Sequence, residues 1–263
     1  MMRHAVNGIP YYSFEALSAC GEVINAIFTR LGGLSGPPFA ELNVGRLVGD
    51  DAAAVEANHR LIYATLNISG KQVVTARQVH GNNVAIVSAA DGDTVVPETD
   101  GLITSTCGLS LMLRFADCLP IFLYDPQNRA IGLAHAGWRG TAARIAERMV
   151  SAMVEVVGSE TSKMIAGLGP AVGPCCYEVG PDVADLLRPS LKDWQAAVLP
   201  AAKNAYHVDL WEANRQQLMQ VGLTNVEVSH LCTACHTDEF FSHRAEKESS
   251  GRFAAVMGIR KAV

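Results

Sequence analysis

Two apolar runs separated by a short polar break lie between residues 115 and 140, in FADCLPIFLYDPQNRAIGLAHAGWRG. The break, DPQN, is typical of a turn, because proline restricts φ while aspartate and asparagine side chains hydrogen-bond the local backbone. This pattern predicts a β-hairpin. A turn centred on the Pro126–Gln127 bond places Cys118 directly opposite His135, with Cβ atoms about 5 Å apart. The predicted hairpin therefore brings a thiol and an imidazole together among apolar residues.

A second histidine fits this pair. His80 ends the predicted strand QVVTARQVH, where the chain enters a Gly-Asn-Asn turn. Two imidazoles and a thiolate can hold zinc and leave a fourth position open, and the same set occurs in blue-copper centres that add a weak axial methionine. Without a metal, Cys118 and His135 could act as nucleophile and base. A buried thiol beside a hydrogen-bonded histidine, with no chemical role, is the remaining interpretation.

The size and charge of the chain exclude several classes of protein. With 263 residues, 49% of them hydrophobic and 18% charged, the chain can bury a sizeable core, and we expect a single domain over residues 1–263. The net charge of −5 and the scattered Lys and Arg residues argue against a nucleic-acid surface. No apolar stretch approaches the roughly 18 residues that a membrane span needs. We therefore expect a monomer with neither nucleic-acid nor membrane partners.

The cysteines indicate the redox compartment. Their number, seven, is odd, and the N-terminal residues lack the apolar segment of a secretory signal, which predicts reduced thiols in the cytoplasm. The segment CTACH, residues 232–236, has metal-ligand spacing, but no second C-x-x-C motif completes a structural zinc site. The adjacent Cys175 and Cys176 cannot readily pair with each other, so turn or core positions are predicted for them.

Hairpins and helices are mixed without the regular strand–helix–strand repeat of a parallel α/β protein, which favours an α+β fold. Helical spacing and capping residues predict helices over 50–67, 140–158, 181–189 and 208–222. Strands are predicted over 24–30, 72–80, 84–87, 100–117, 162–169, 225–230 and 252–259. In the first two helices, the residues predicted to be buried are Ala53, Val55, Leu61, Leu66, Ala142, Ile145, Met149, Met153 and Val156.

Anion binding is predicted directly after His135. The segment AGWRGT opens a helix with a glycine-rich turn that contains Arg139, and free N–H groups at such a position favour phosphate. Further arginines near the motifs could form a phosphate clamp, namely Arg30, Arg77, Arg244 and Arg252. The nearest carboxylates, Asp117 and Glu178, are candidates for proton transfer, or for loop caps.

Eight motifs recur in order from about residue 24 to residue 259: FTRLGGLSGPPFAELNVG, VGDD, RQVHG, DGLIT, ADCLPI, AHAGWRGT, GPCCYEVG and FFSHR…GRFAAV. They resemble those of the YfiH/YlmD family, also called laccase-domain or multicopper polyphenol oxidase proteins. The resemblance implies layered mixed β-sheets flanked by helices, similar to the catalytic domain of a deamidating bacterial toxin with a Cys–His pair.

The resemblance also implies an activity. Family members are zinc-dependent purine nucleoside phosphorylases that split adenosine, inosine, guanosine or 5′-methylthioadenosine with phosphate, releasing the base and ribose 1-phosphate or its methylthio analogue. Adenosine deaminase activity is also attributed to them. Matched motif by motif, the zinc ligands are His80, Cys118 and His135, with copper as an in vitro substitute, and Asn43 of the first motif is a substrate-binding candidate.

One position departs from the family, and two other activities stay open. Leu47 stands where many members have histidine, which puts in doubt a substrate contact but none of the three metal ligands. Some bacterial members are linked to editing of peptidoglycan precursors, so a Cys–His hydrolase or amidase is the alternative. A copper polyphenol oxidase is less favoured, because none of the eight histidines forms the His-x-His pairs that a multicopper site needs. A zinc-stabilised binding protein is the non-enzymatic alternative.

Overall fold

The computed structural model describes residues 1–202 and 204–261. Its strands, in chain order, are β1 (Met2–Val6), β2 (Ile9–Ser13), β3 (Val23–Phe28), β4 (Val73–Ala76), β5 (Val84–Ile86), β6 (Val95–Val96), β7 (Gly101–Thr104), β8 (Ser110–Phe115), β9 (Leu119–Asp125), β10 (Ala130–Ala136), β11 (Ile165–Leu168), β12 (Glu178–Val179), β13 (Val198–Pro200), β14 (Tyr206–Val208), β15 (Asn225–Val228) and β16 (Phe253–Ile259). Its α-helices are α1 (Glu15–Ser18), α2 (Ala52–Leu66), α3 (Trp138–Ala142), α4 (Ile145–Val157), α5 (Pro181–Leu187), α6 (Trp194–Ala197), α7 (Leu210–Gln220) and α8 (His243–Glu246).

These strands form two large mixed sheets and a small one. The seven-stranded sheet has the order β1-β2-β3-β16-β8-β4-β6, and the six-stranded sheet has the order β15-β11-β9-β10-β7-β5. Strands β12, β14 and β13 form the third sheet. Most neighbours are antiparallel, but β4 runs parallel to β6 and β8, β5 to β7, and β11 to β15. The predicted α+β fold with layered mixed sheets is confirmed.

Alternating side chains on the central strands generate the layers. On β9, Ile121 and Leu123 pack into one hydrophobic cluster, whereas Phe122 and Tyr124 pack into a second. Strand β16 alternates in the same way between the second cluster and a third. The second cluster therefore lies between the two large sheets. Helices α4 and α7 join the first cluster on the outer face of the six-stranded sheet, and α2 joins the third on the outer face of the other.

The helix caps follow from the sequence, but one predicted helix is divided. Asp51 caps α2 by accepting hydrogen bonds from the N–H groups of Ala53 and Ala54, and Asp209 caps α7. The prediction of one helix over 140–158 is wrong, because Arg144 adopts a left-handed conformation (φ 61°) that separates α3 from α4. The predicted burial of Ala53 and Val156 is also wrong, because both side chains are exposed.

Among the described residues, no helix is both long and apolar enough to cross a bilayer.

Candidate metal centre

Three separate elements bring two imidazoles and a thiol together. His80 lies in the loop after β4, Cys118 directly precedes β9, and His135 lies near the end of β10. Their ligand atoms all lie within 4.8 Å of one another. The cluster that the sequence predicts is therefore present, and these three side chains can bind a metal ion together.

The hairpin has a different register from the predicted one. His135 lies opposite Pro120, not Cys118, because the loop contains four residues, Pro126 to Arg129, and Asp125 pairs with Ala130. The favoured two-residue hairpin turns need positive φ at a central position, which proline cannot adopt. The observed partner of His135 therefore lies two residues further along the first strand than the predicted one. A shift of two residues keeps a side chain on the same face of the sheet, so Cys118 and His135 still meet.

The predicted strand over 72–80 ends early, and this lets His80 turn towards the pair. Strand β4 stops at Ala76, and His80 adopts a left-handed backbone conformation (φ 61°) in the loop. Gly137 makes room for the cluster. A Cβ atom at Gly137 would lie 2.9 Å from the Cys118 sulfur and 3.3 Å from Cδ2 of His80.

Asp100, which was not among the predicted site residues, organises both histidines. Its carboxylate lies 2.9 Å from Nδ1 of His135 and accepts hydrogen bonds from the backbone N–H groups of Val79, His80 and Gly81. Because Asp100 engages Nδ1 of His135, Nε2 remains free to bind a metal. An acidic residue at the start of a buried strand, in the DGLIT motif, was the signal available in the sequence.

The cluster favours a thiolate. Burial raises the pKa of the Cys118 thiol, but the charges and hydrogen bonds of His135 and His80 outweigh it and lower the pKa to about 6. Burial lowers the pKa of His135, but the Cys118 thiolate and Asp100 outweigh it and raise the pKa to about 9. A thiolate is the form of cysteine that binds metals. The Cys118 thiolate is therefore in the form that binds a metal ion, and binding would release the proton from Nε2 of His135.

The cluster opens into a cavity of about 1030 Å³. Aromatic side chains of Trp138 and Tyr177 contribute to its wall, as does the imidazole-bearing His243. The exposed Leu47, the position that departs from the family motif, also lines it. The arginines lining this cavity are Arg46, Arg77, Arg114, Arg139, Arg244 and Arg252.

Several predicted site residues reach this cavity. Arg77, Arg139 and Arg244 line it, as does Asp117. The carboxylate of Asp117 accepts hydrogen bonds from the hydroxyls of Thr233 and Ser242 and from the N–H of Arg244. With three donors from neighbouring loops, this carboxylate holds the loops together, as expected if Asp117 is a loop cap.

Other predicted residues lie outside the cavity. Arg30 donates to Glu246 (2.6 Å) and to two backbone carbonyls, so its guanidinium is used within the fold. Asn43 is fully buried, and its side-chain oxygen accepts from the backbone N–H groups of Gly45 and Arg252. Glu178 contributes its backbone carbonyl to Arg244, and its exposed carboxylate is not part of the cavity wall.

The positive charge of the cavity is only partly neutralised. Arg46 pairs with Glu56 and Arg77 with Glu98. Burial lowers the pKa of the guanidinium groups of Arg114 and Arg252, because a buried charge is unfavourable without a counter-ion. Among the described residues, four cavity arginines form no ion pair with a carboxylate, namely Arg114, Arg139, Arg244 and Arg252. This arrangement favours an anionic ligand.

Residues 24–260 match the family model described as multi-copper polyphenol oxidoreductase laccase. The chain belongs to this family. Within the laccase-like family, the chain is 41% identical over 250 residues to purine nucleoside phosphorylase YlmD of Geobacillus stearothermophilus, with 90% of each chain covered. The YlmD of Bacillus subtilis, also named a purine nucleoside phosphorylase, is 37% identical, with 92% of this chain and 90% of the relative covered.

A solved member of the laccase-like family has the same fold. The crystal structure of YlmD from Geobacillus stearothermophilus superposes with a TM-score of 0.93, at 37% identity and with 98% of each chain covered. This agreement confirms the resemblance that the eight motifs indicate. The similarity to a deamidating toxin stays a prediction.

Proposed function

We propose that this chain is a purine nucleoside phosphorylase that depends on a metal ion held by His80, Cys118 and His135. One observation carries the proposal. A single cavity joins this ligand set to arginines that form no ion pair with a carboxylate of the described residues, and so offers a phosphate site beside a metal site. Relatives at 41% and 37% identity bear the name of this activity.

Zinc is the metal that we propose. Three protein ligands made of histidine and cysteine, with one position open, are the pattern of catalytic zinc sites. Within residues 1–202 and 204–261, only one metal-ligating cluster contains histidine, and a second contains cysteines alone. A multicopper oxidase needs many more imidazoles, so the described ligands support zinc, with copper as an in vitro substitute.

The cavity residues account for binding and orientation. The arginines would hold phosphate as a dianion close to the ribose. Arg139 and Arg244 lie over one face of Trp138 and Tyr177, respectively, and the remaining surface of the two rings would offer apolar contacts to the purine. Asp100 would keep His135 in the tautomer that presents Nε2. When bound, zinc supplies a Lewis acid that can polarise an oxygen of phosphate or of the ribose. A phosphate oxygen would then attack C1′ as the bond to the purine nitrogen breaks, with the adjacent dianion offsetting positive charge on the sugar.

The leaving purine must gain a proton. Asp117 and Glu178 are the candidates from the sequence, but Asp117 is engaged by three donors and Glu178 lies outside the cavity wall. Both observations favour a different donor. His243 is exposed and lines the cavity, and we propose its imidazole for this step.

The proposed substrates are adenosine, inosine, guanosine and 5′-methylthioadenosine, each with phosphate. Deamination of adenosine is a further activity that the family resemblance implies. A monomeric state and a cytoplasmic location stay predictions from the sequence.

A Cys–His amidase acting on peptidoglycan precursors is the second candidate. It is favoured by one observation, the lowered pKa of Cys118 beside the raised pKa of His135, which is typical of a nucleophile–base pair. Loss of His80 distinguishes the two functions. His80→Gln should abolish turnover by a metal enzyme that needs three ligands, and should largely spare a two-residue Cys–His enzyme.

The deciding experiment is a chromatographic assay of the zinc-loaded protein with adenosine, with and without phosphate. Wild type is compared with Cys118→Ala and with Cys107→Ala, a control cysteine outside the cluster. Adenine released only with phosphate, by wild type and the control, would support the phosphorylase.

Two other results would contradict the proposal. Inosine formed without phosphate would make deamination the main reaction. No product from any nucleoside would overturn the nucleoside assignment, and the amidase would then be tested on muropeptides.

A further inference from the structure

Four cysteines outside the cavity form a second cluster. Cys175 and Cys176 lie in the loop after β11, and Cys232 and Cys235 lie in the loop after β15. Strands β11 and β15 are parallel neighbours, so both loops begin side by side, at the carboxyl ends of these two strands. A further parallel bridge between Ala171 and Cys232 holds the loops side by side. The sequence separates these pairs by more than fifty residues, and the fold joins them.

The distances between the sulfur atoms suit a shared metal. All four Sγ atoms lie within 4.8 Å of one another, and Cys235 Sγ lies 3.5 Å from Cys175 Sγ and 3.4 Å from Cys176 Sγ. A disulfide would need about 2.05 Å. Four sulfurs around zinc at about 2.3 Å in tetrahedral geometry stand roughly 3.8 Å apart. The observed separations are therefore close to those of a four-thiolate site and far from those of a disulfide.

We propose that Cys175, Cys176, Cys232 and Cys235 bind a second zinc ion as a structural four-thiolate site. Soft thiolates in a closed tetrahedral set select zinc among the common divalent metals. Each thiol would release its proton to solvent on binding. The exposed Cys175 and Cys235 give the metal a route into the site.

The backbone of both loops is arranged to support thiolates. The N–H of Gly173 donates to Cys232 Sγ (3.2 Å), which stabilises negative charge on that sulfur. The N–H groups of Cys235 and His236 both donate to the carbonyl of Cys232, forming a tight turn that presents the two sulfurs of this segment together. The N–H of Cys176 donates to the carbonyl of Gly173, forming a similar turn in the other loop.

The proposed site lies directly behind the catalytic cavity. Thr233, next to Cys232, donates its hydroxyl to Asp117 (2.7 Å), and Asp117 precedes the metal ligand Cys118. Tyr177, next to Cys176, lines the cavity. A metal that links the two loops would therefore restrain one wall of the cavity. Its role would be positioning, because none of the four cysteines lines that cavity.

The test counts zinc per chain in protein that is purified under reducing conditions and freed of loosely bound metal. Wild type should carry two zinc ions, whereas Cys235→Ser and Cys118→Ala should each carry one. Cys107→Ser, a half-buried cysteine outside both clusters, should keep two. X-ray absorption of Cys118→Ala should then show only sulfur neighbours at about 2.3 Å from the remaining zinc.

Thiol alkylation of native wild type keeps the proposal testable if Cys235→Ser does not fold. The four cysteines should resist alkylation in zinc-loaded protein and react after chelation, with Cys20 and Cys107 as internal references. Equal zinc in wild type and Cys235→Ser would overturn the proposal. So would a disulfide among these cysteines in protein that retains the zinc of the His80 site. Neither readout depends on nucleoside turnover, so the proposed phosphorylase activity can fail without affecting this result.

Discussion

At the scale of single residues, Asp100 links the proposed metal ligands His80 and His135 to the fold. Its side chain is fully buried, and its carboxylate lies 2.9 Å from Nδ1 of His135. The carboxylate also accepts hydrogen bonds from three backbone N–H groups in the segment that carries His80. One carboxylate therefore orients one ligand directly and a second through its loop, so its loss should affect both.

We expect Asp100→Asn to weaken metal binding by about 10- to 100-fold, because carboxylates that orient metal-bound histidines contribute on this scale. The affinity is measured by competition with a chelator of known strength. Asp91→Asn, which alters a carboxylate that caps a surface turn at Ser88, is the control and should bind metal as wild type does. Unchanged affinity in Asp100→Asn would show that the histidines are oriented by other contacts.

The lowered pKa of Cys118 predicts a reactive thiol in metal-free protein. Because the pKa is about 6, the thiolate dominates above that pH, and alkylation by iodoacetamide should rise with a midpoint near pH 6. His135→Gln removes the charge that contributes most to lowering the pKa of Cys118, so the midpoint of alkylation should move to higher pH. Mass spectrometry of the Cys118 peptide follows the reaction. A midpoint near that of an ordinary thiol in both proteins would contradict the proposed thiolate.

At the scale of elements, the junction between β10 and α3 decides the shape of the metal centre. Gly137 caps α3 with an extended backbone (φ −80°, ψ 179°) that any residue can adopt. The need for glycine comes instead from the close approach of Cys118 and His80 to the position of a Cβ.

Gly137→Ala should therefore impair the metal centre more than the fold. A Cβ atom 2.9 Å from the Cys118 sulfur must displace that sulfur, and overpacking of this kind costs about 1–3 kcal/mol. We expect metal affinity to fall about tenfold or more, measured by chelator competition. Gly36→Ala, whose new Cβ has no heavy atom of the described residues within 4 Å, is the matched control. Equal loss of affinity in both variants would mean that the cluster is not tightly packed.

At the scale of the whole molecule, a cavity rich in positive charge lies in a chain whose net charge is negative. The net charge is −5, yet six arginines line one cavity, and some of them have no carboxylate partner among the described residues. Such a concentrated field favours binding of an anion at one place on an otherwise acidic protein. The fold produces this field by bringing together arginines that are scattered singly in the sequence.

Arg139→Gln should raise the KM for phosphate about tenfold, because a hydrogen bond to a charged group contributes about 1.5–3 kcal/mol. Arg139 stacks on Trp138, with its guanidinium carbon 4.3 Å from the ring centre, at the cavity wall. Arg129→Gln, which removes a surface arginine paired with Glu22, is the control. Phosphate titrations at fixed adenosine measure the effect. An unchanged KM would place phosphate on other arginines.

The stability of the whole molecule should depend on His59 in acid. Burial, together with the charge of Arg46, lowers the pKa of His59 to about 4, against about 6.5 in an unfolded chain. Between these values the unfolded chain binds a proton that the folded protein does not. The free energy of unfolding should therefore fall as pH drops from about 6.5 to 4, by up to about 3 kcal/mol.

Denaturant unfolding at pH 7.5 and 4.5 tests this dependence. His59→Gln keeps a donor for the Val44 carbonyl, which lies 3.2 Å from Nε2 in wild type, but cannot titrate. The variant should lose less stability between the two pH values than wild type. His4→Gln, on β1, should lose as much as wild type. Equal losses in all three proteins would contradict the prediction.

Local patterns and spacing were enough to predict the hairpin, the helices α2 and α7, the α+β class and the grouping of His80, Cys118 and His135, because each depends on residues close in sequence or on motifs read in order. Tertiary structure alone decided the register, the role of Asp100 and the exclusion of Arg30 and Glu178 from the cavity wall. It also joined Cys175 and Cys176 to the C-x-x-C segment. The physical reason is that parallel pairing of β11 with β15 and packing of two sheets create contacts between distant segments, and no local spacing encodes such contacts.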